Sequence, residues 1–138
     1  MKTITKAFMV LTMLCLFSCS FFKKEDPADV VSDFMDAMAG PDFDKAGRYI
    51  TRDSKTLLNL IQTIHSMGNE LPAIYKKELA GDGKMIYTTI SMENEKATVL
   101  VSMGKESNSI DLRKEDGKWK VVLDQDDLMD KMGSPGDQ

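Results

Sequence analysis

The apolar residues of this chain change their spacing once. From Pro27 to about Leu79 they recur every three or four positions, and from Lys84 to Leu123 they recur every second position. A period of 3.6 lines one face of a helix and a period of two lines one face of a strand, so helices must come first and strands after them. The switch falls at Gly81-Asp82-Gly83.

In the first half, Asp26-Pro27 predicts a helix start. Asp as N-cap accepts orphan backbone N–H groups, and Pro at the first helical position loses nothing by lacking its own. Val30, Phe34 and Met38, with Val31 and Met35 beside them, form the apolar stripe, and Gly40-Pro41 ends it. A second short helix is expected over Asp42 to Ile50, presenting Phe43, Ala46 and Ile50. The third runs from Asp53 to Met67 with Leu57, Leu58, Ile61 and Ile64 as its stripe and Gly68 as its stop. Glu70 to Leu79 adds a short helical stretch turning Leu71, Ile74 and Leu79 inward.

In the second half, four strands are expected. Their inward sets are Ile86, Thr88, Ile90 and Met92; then Ala97, Val99, Val101 and Met103; then Ile110 and Leu112; then Trp119, Val121 and Leu123. The connections Glu93 to Glu95, Gly104 to Asn108 and Asp116-Gly117 are short, and the last is the dipeptide favoured in a type I′ hairpin turn. Short connections give an antiparallel meander. The fold class is therefore α+β, with the helical layer covering the apolar face of a four-stranded sheet over residues 27–125 and a flexible tail over 126–138.

Ahead of the domain, Lys2 and Lys6 precede an apolar stretch from Ala7 to Phe17. These eleven residues are too few to cross a bilayer, which takes about 20 in a helix. They have the charged start and short apolar centre of a secretion signal. The stretch closes on Leu16-Phe17-Ser18-Cys19, which resembles the lipobox of bacterial lipoproteins. The resemblance implies that residues 1–18 are a signal peptide removed before Cys19. The Cys19 thiol would carry a diacylglyceryl group, and its new amino group a further acyl chain such as palmitate. Residues 19–26 would be the lipidated cysteine and tether, and the address the cell envelope. Ser20 in place of aspartate resembles the pattern that sends Gram-negative lipoproteins to the outer rather than the inner membrane.

The element order and the closing run Arg113-Lys114-Glu115-Asp116-Gly117-Lys118-Trp119-Lys120-Val121 resemble the nuclear-transport-factor-2-like, or cystatin-like, cone. They are similar in particular to lipoproteins of that superfamily known only as a domain of unknown function. The resemblance covers roughly Pro27 to Leu123 and lacks a clear strand between the second and third helices. It implies either a non-catalytic binding or dimerisation module or, as the alternative, a small-molecule enzyme of the isomerase or cyclase type using the cone pocket.

Residue chemistry separates these classes only in part. Without Lys2 and Lys6, sixteen basic residues face twenty-two acidic ones, and no basic stripe is present, so a nucleic-acid partner is excluded. With His65 as the one histidine and no cysteine after Cys19, a zinc site of four N or S ligands cannot be assembled. The run Asp124, Asp126, Asp127, Asp130 fails the calcium-loop test because Met129 and Pro135 stand where Gly and Glu are required. The eight methionines beyond the signal read as core and adaptable surface rather than a copper site. No cofactor or metal is expected. Strand parity places Asp111, Arg113, Lys118, Lys120 and Asp124 away from the apolar face, leaving Thr88 as its only polar group. No catalytic residue is therefore assigned, and an acid or base could come only from His65, Tyr49 or Asp53 on the helical side. The expected partners are the membrane through Cys19, and a protein, a second copy or a small apolar ligand. Tyr87, Thr89 and Ser91 against Thr98, Leu100 and Ser102 are expected as the outer sheet face.

Overall fold

The computed structural model describes residues 24–71, 75 and 84–126. Cys19 and the signal, most of the stretch from Pro72 to Leu79, and the tail from 127 onward lie outside the described residues. The elements run in the order α1 (Pro27–Ala39), α2 (Phe43–Ala46), α3 (Lys55–Ser66), β1 (Met85–Met92), β2 (Lys96–Met103), β3 (Glu106–Glu115) and β4 (Lys118–Val121). The strands form one antiparallel sheet in the order β1-β2-β3-β4, so the chain is α+β with a meander.

The first helix forms as its sequence dictates. Asp26 Oδ1 accepts the Ala28 N–H at 3.0 Å, and Pro27 occupies the first helical position. Val30, Val31, Phe34, Met35, Ala37 and Met38 are all buried, making α1 the centre of the core. Burying a side chain of that size stabilises by about 1.5–3 kcal/mol, so this one stripe supplies a large share of the folding free energy. Phe34 also meets the Tyr75 ring edge-on with centroids 6.1 Å apart. In α3, Leu58 and Ile61 are buried and Leu57 and Ile64 half-buried, the expected stripe.

Helix α2 is shorter than its spacing suggests. It stops at Ala46, and Tyr49 to Thr51 leave the helix to run parallel beside β4. The Val121 N–H donates to the Tyr49 carbonyl at 2.7 Å, and the Thr51 N–H donates to the Val121 carbonyl at 3.0 Å. Ile50 is buried by this one-residue bridge rather than by a helical face. The free edge of β4 is thereby covered, and the Glu25 carboxylate takes the next edge group, the Trp119 N–H, at 3.0 Å. Two buried hydroxyls lock the corner. Thr51 Oγ1 and Ser54 Oγ lie 2.6 Å apart, and Ser54 Oγ accepts the Leu123 N–H at 2.9 Å. An unpaired buried hydroxyl would be costly, and here both are satisfied.

Three strands present the faces expected of them. Ala97, Val99, Val101 and Met103 of β2, Ile110 and Leu112 of β3, and Trp119 and Val121 of β4 are buried against the helices. Asp116 and Gly117 both take positive φ, 52° and 75°, as a type I′ turn requires. The β2–β3 connection is only Gly104-Lys105, because Ser107 and Asn108 pair with Ser102 and Val101 in spite of their weak strand preference.

Strand β1 has the opposite register from the expected one. Tyr87 pairs with Val101 and Met85 with Met103, so Met85, Tyr87 and Thr89 face the helices while Ile86, Thr88 and Ile90 face outward. A one-residue slip turns every side chain to the other face, and the sequence Met-Ile-Tyr-Thr-Thr-Ile-Ser-Met is apolar on both parities. The larger Tyr87 takes the inner side, where its ring is half-buried and its hydroxyl lies at the rim. A bulge at Ile90 then shifts the pairing, so that Ser91 stands opposite Thr98 and Met92 opposite Ala97.

Candidate functional site

Three regions could carry chemistry: the space between α1 and the sheet, the outer sheet face, and the end of the domain where residues 24–26 lead into α1. The first is occupied by side chains. Val31, Met38, Val99, Val101 and Val121 are 0% exposed, and Phe34, Met35 and Leu112 no more than 2%. On β1 the inward polar groups are Tyr87 and Thr89, not Thr88 as the alternation suggested, and on β3 Asn108 and Lys114 stand opposite the buried Val101 and Trp119. Thr89 Oγ1 donates to Asp26 Oδ1 at 3.0 Å, the same oxygen that caps α1, which joins the bulged strand to the helix start. The Tyr87 hydroxyl donates to Met85 Sδ at 3.1 Å. Burial first, and then the neighbouring Asp36 carboxylate, push its phenol above the ordinary value, opposed by a hydrogen bond with Ser32. Tyr87 is thus a neutral donor at the α1–β1 seam. Its place depends on the register of β1, which its own sequence leaves ambiguous.

The three helical-side candidates are not brought together. Asp53 precedes α3 and His65 sits in its last turn, so the helix's twelve residues separate them by ~18 Å at 1.5 Å per residue. His65 Nδ1 lies 3.2 Å from the Asn69 carbonyl, with its ring 5.8 Å from that of Phe43, which is a helix-end contact. Tyr49 is half-buried against the core beside the parallel bridge to β4. Asp53 lies outside the core and accepts from Arg113 Nη2 at 2.9 and 3.0 Å.

On the outer face, Lys96, Arg113 and Lys120 stand directly across from one another on β2, β3 and β4. Three like charges in a row would repel. Arg113 is compensated by Asp53 and by Glu115 at 3.6 Å, and Lys120 donates to the Arg48 carbonyl. Beyond them Arg52 pairs with Asp116, and its N–H donates to Glu115 at 3.0 Å. An open groove of about 370 Å³ lies beside this row, with Ser91, Thr98 and Asp111 on its wall. At the end where residues 24–26 lead into α1, Lys24, Glu25, Met92 and Lys118 border a second open groove around Trp119, whose ring is covered by Lys114 at 4.9 Å. Among the described residues no group of three or more His, Cys, Asp or Glu is placed to hold a metal ion. Among them also, no helix is long and apolar enough to cross a membrane. No family model, curated protein or solved structure matches the chain.

The Asp53 contacts predict a pH dependence. The Thr51 hydroxyl first, and then Arg113, hold the Asp53 carboxyl below the usual aspartate value. A depressed folded-state pKa means that the contribution is complete above the unfolded value of about 3.9 and is lost as pH falls through the lower folded one. Denaturation of wild type and Asp53→Asn is expected to differ at neutral pH and to converge in acid below that window. Because the pair is exposed, the difference will be small. A gap that stays constant down to the acid limit would show that the Asp53 charge contributes nothing.

Proposed function

We propose that the chain is a lipid-anchored lipoprotein of the cell envelope whose cone-like α+β domain is a non-catalytic binding module acting through its outer surface. The filled space between α1 and the sheet carries this reading. A substrate entering there would have to displace Phe34, Met35 and Leu112, each at most 2% exposed, and would find no acid and base facing each other. General acid–base chemistry requires positioned groups within hydrogen-bond reach of one reacting centre. His65, Tyr49 and Asp53 are instead spent on a helix end, a strand bridge and an ion pair. The helices-then-meander order and the Gly117-Lys118-Trp119 turn into the closing strand support a cone of the nuclear-transport-factor-2-like type. The Tyr49–Thr51 bridge supplies in miniature the strand missing between the second and third helices.

The test is genetic and structural together. In a strain with a phenotype that depends on the chain, His65→Ala, Tyr49→Phe and Asp53→Asn should each keep function, and chelator should leave the melting temperature unchanged. Large loss of function from one of these substitutions, with the circular dichroism spectrum intact, would replace the module with an enzyme. Chelator-induced unfolding would show that the fold uses a metal.

A further inference from the structure

The two edges of the sheet are treated differently. Beside β4 run Tyr49 to Thr51, with Glu25 on the next N–H, whereas among the described residues nothing pairs with the outer edge of β1. Exposed edge strands are usually blunted with charge or proline, yet the eight residues of β1 contain neither. Of the five large apolar side chains left exposed among the described residues, three, Ile86 and Ile90 at 55% and Met92 at 50%, belong to this strand, the others being Leu60 and Met67 of the α3 region. We infer that β1 is a self-pairing edge, and that two copies of the chain join antiparallel through it into one eight-stranded sheet with its two-fold axis at Thr88.

The register follows from the faces and the bulge. For the helical layers of both copies to stay on one side of the joined sheet, opposed residues must share a face, which centres the pairing on a residue rather than between two. Centring on Thr88 sets Thr88 against itself and Tyr87 against Thr89 of the second copy. The extra residue of the bulge makes Ile90 and Ser91 together oppose Ile86, exactly as many residues as the β1–β2 pairing skips. Met92 then stands opposite Met85, and Glu93 opposite Lys84, at both ends of the ladder. The exposed isoleucines meet one another, and the charges next to the strand ends, Lys84 and Glu93, meet with opposite sign. An isologous contact of this kind closes as a dimer and does not propagate. Its area is that of one strand pairing, so the dimer should dissociate on dilution. This inference concerns β1 alone and stands or falls separately from the binding-module reading.

Cysteine placement reads the register directly. Full chain carrying Thr88→Cys, oxidised in detergent and run on a non-reducing gel, should form a covalent dimer, because opposed Cβ atoms lie about 4.5–5.5 Å apart. Ile86→Cys alone should not, since its own copy lies four residues away along the ladder, roughly 13 Å at ~3.3 Å per residue. The chain without an added cysteine controls for Cys15 and Cys19. Thr88→Lys puts like charges across the axis and should weaken the dimer at least about tenfold in sedimentation; Thr88 is exposed, so the monomer should keep its spectrum. A chain that sediments as monomer at every concentration overturns the inference. So does a dimer indifferent to Thr88→Lys, or one in which Ile86→Cys cross-links as well as Thr88→Cys, as packing through the sheet faces would allow.

Discussion

Replacing Trp119 by alanine is expected to lower the unfolding free energy by about 3–5 kcal/mol, the loss typical of truncating a buried aromatic. Trp119 is 4% exposed and stands on the inner face with Leu112 and Val121, which are 2% and 0% exposed. Its ring packs on the inner face of β4 under the Lys114 ammonium, and alanine would leave that space unfilled. The backbone adds a second constraint, because the Trp119 N–H is fixed by Glu25 just ahead of the first helix. Against a total stability of about 5–15 kcal/mol, the loss would unfold a substantial part of the population. As the chain has one tryptophan, wild-type emission reports this residue alone and should be blue-shifted. Urea denaturation followed by circular dichroism measures the loss. Red emission from the native chain, or a loss below about 1 kcal/mol, would place the ring in solvent and contradict the burial.

Why the sequence reveals the inner face of three strands and misleads about the fourth is a matter of contrast. In β2, Ala97, Val99, Val101 and Met103 alternate with Lys96, Thr98, Leu100 and Ser102, so one parity is apolar throughout and the other has a single apolar residue; in β4 Trp119 and Val121 alternate with Lys118 and Lys120. In β1 there is no charged residue to mark the outside, and isoleucines on one parity compete with Met85 and Tyr87 on the other. The choice is made by tertiary pairing with Val101 and Met103, which local spacing cannot contain. The same absence of charge that hides the inner parity of β1 also leaves its outer edge without the charged side chains that usually blunt an edge strand.

The candidate site was legible to a lesser degree. Parity did identify Asp111, Arg113, Lys118 and Lys120 as outward, but the partner of Arg113 is Asp53, sixty positions earlier, and no spacing rule connects them. Likewise Glu25, read as part of a solvated tether, is a ligand of the β4 edge ninety-four positions away. Ser54 and Thr51 look like ordinary helix-start residues, and they become the buried polar lock only because the chain between α2 and α3 runs beside β4. Helix α1 was legible almost to the residue because its cap, its proline and its stripe are all local.

Substituting Cys19 by alanine is expected to abolish lipid attachment and to leave the chain unprocessed or soluble in the envelope. In the lipoprotein reading every acyl chain is carried by this residue, on its thiol and on the amino group exposed when the signal is cut. Each buried methylene contributes about 0.8 kcal/mol, and two chains suffice for stable anchoring where one gives only reversible binding. Among the described residues no helix is long and apolar enough to cross a membrane. Glu25 is fixed on Trp119, and Asp26 is fixed by Ala28 and Thr89, so in the lipoprotein reading the chain from Cys19 reaches the domain at Glu25. The six residue steps from Cys19 to Glu25 span at most about 21 Å when fully extended. In that reading so short a reach would hold the end of the sheet with the β1–β2 and β3–β4 turns closest to the membrane. Membrane fractionation with metabolic palmitate labelling should therefore place wild type with the membrane and labelled. The Cys19→Ala chain should be unlabelled, and either kept as a larger precursor or found free of lipid. A variant that takes label and fractionates like wild type would remove the anchor from Cys19 and the lipoprotein reading with it.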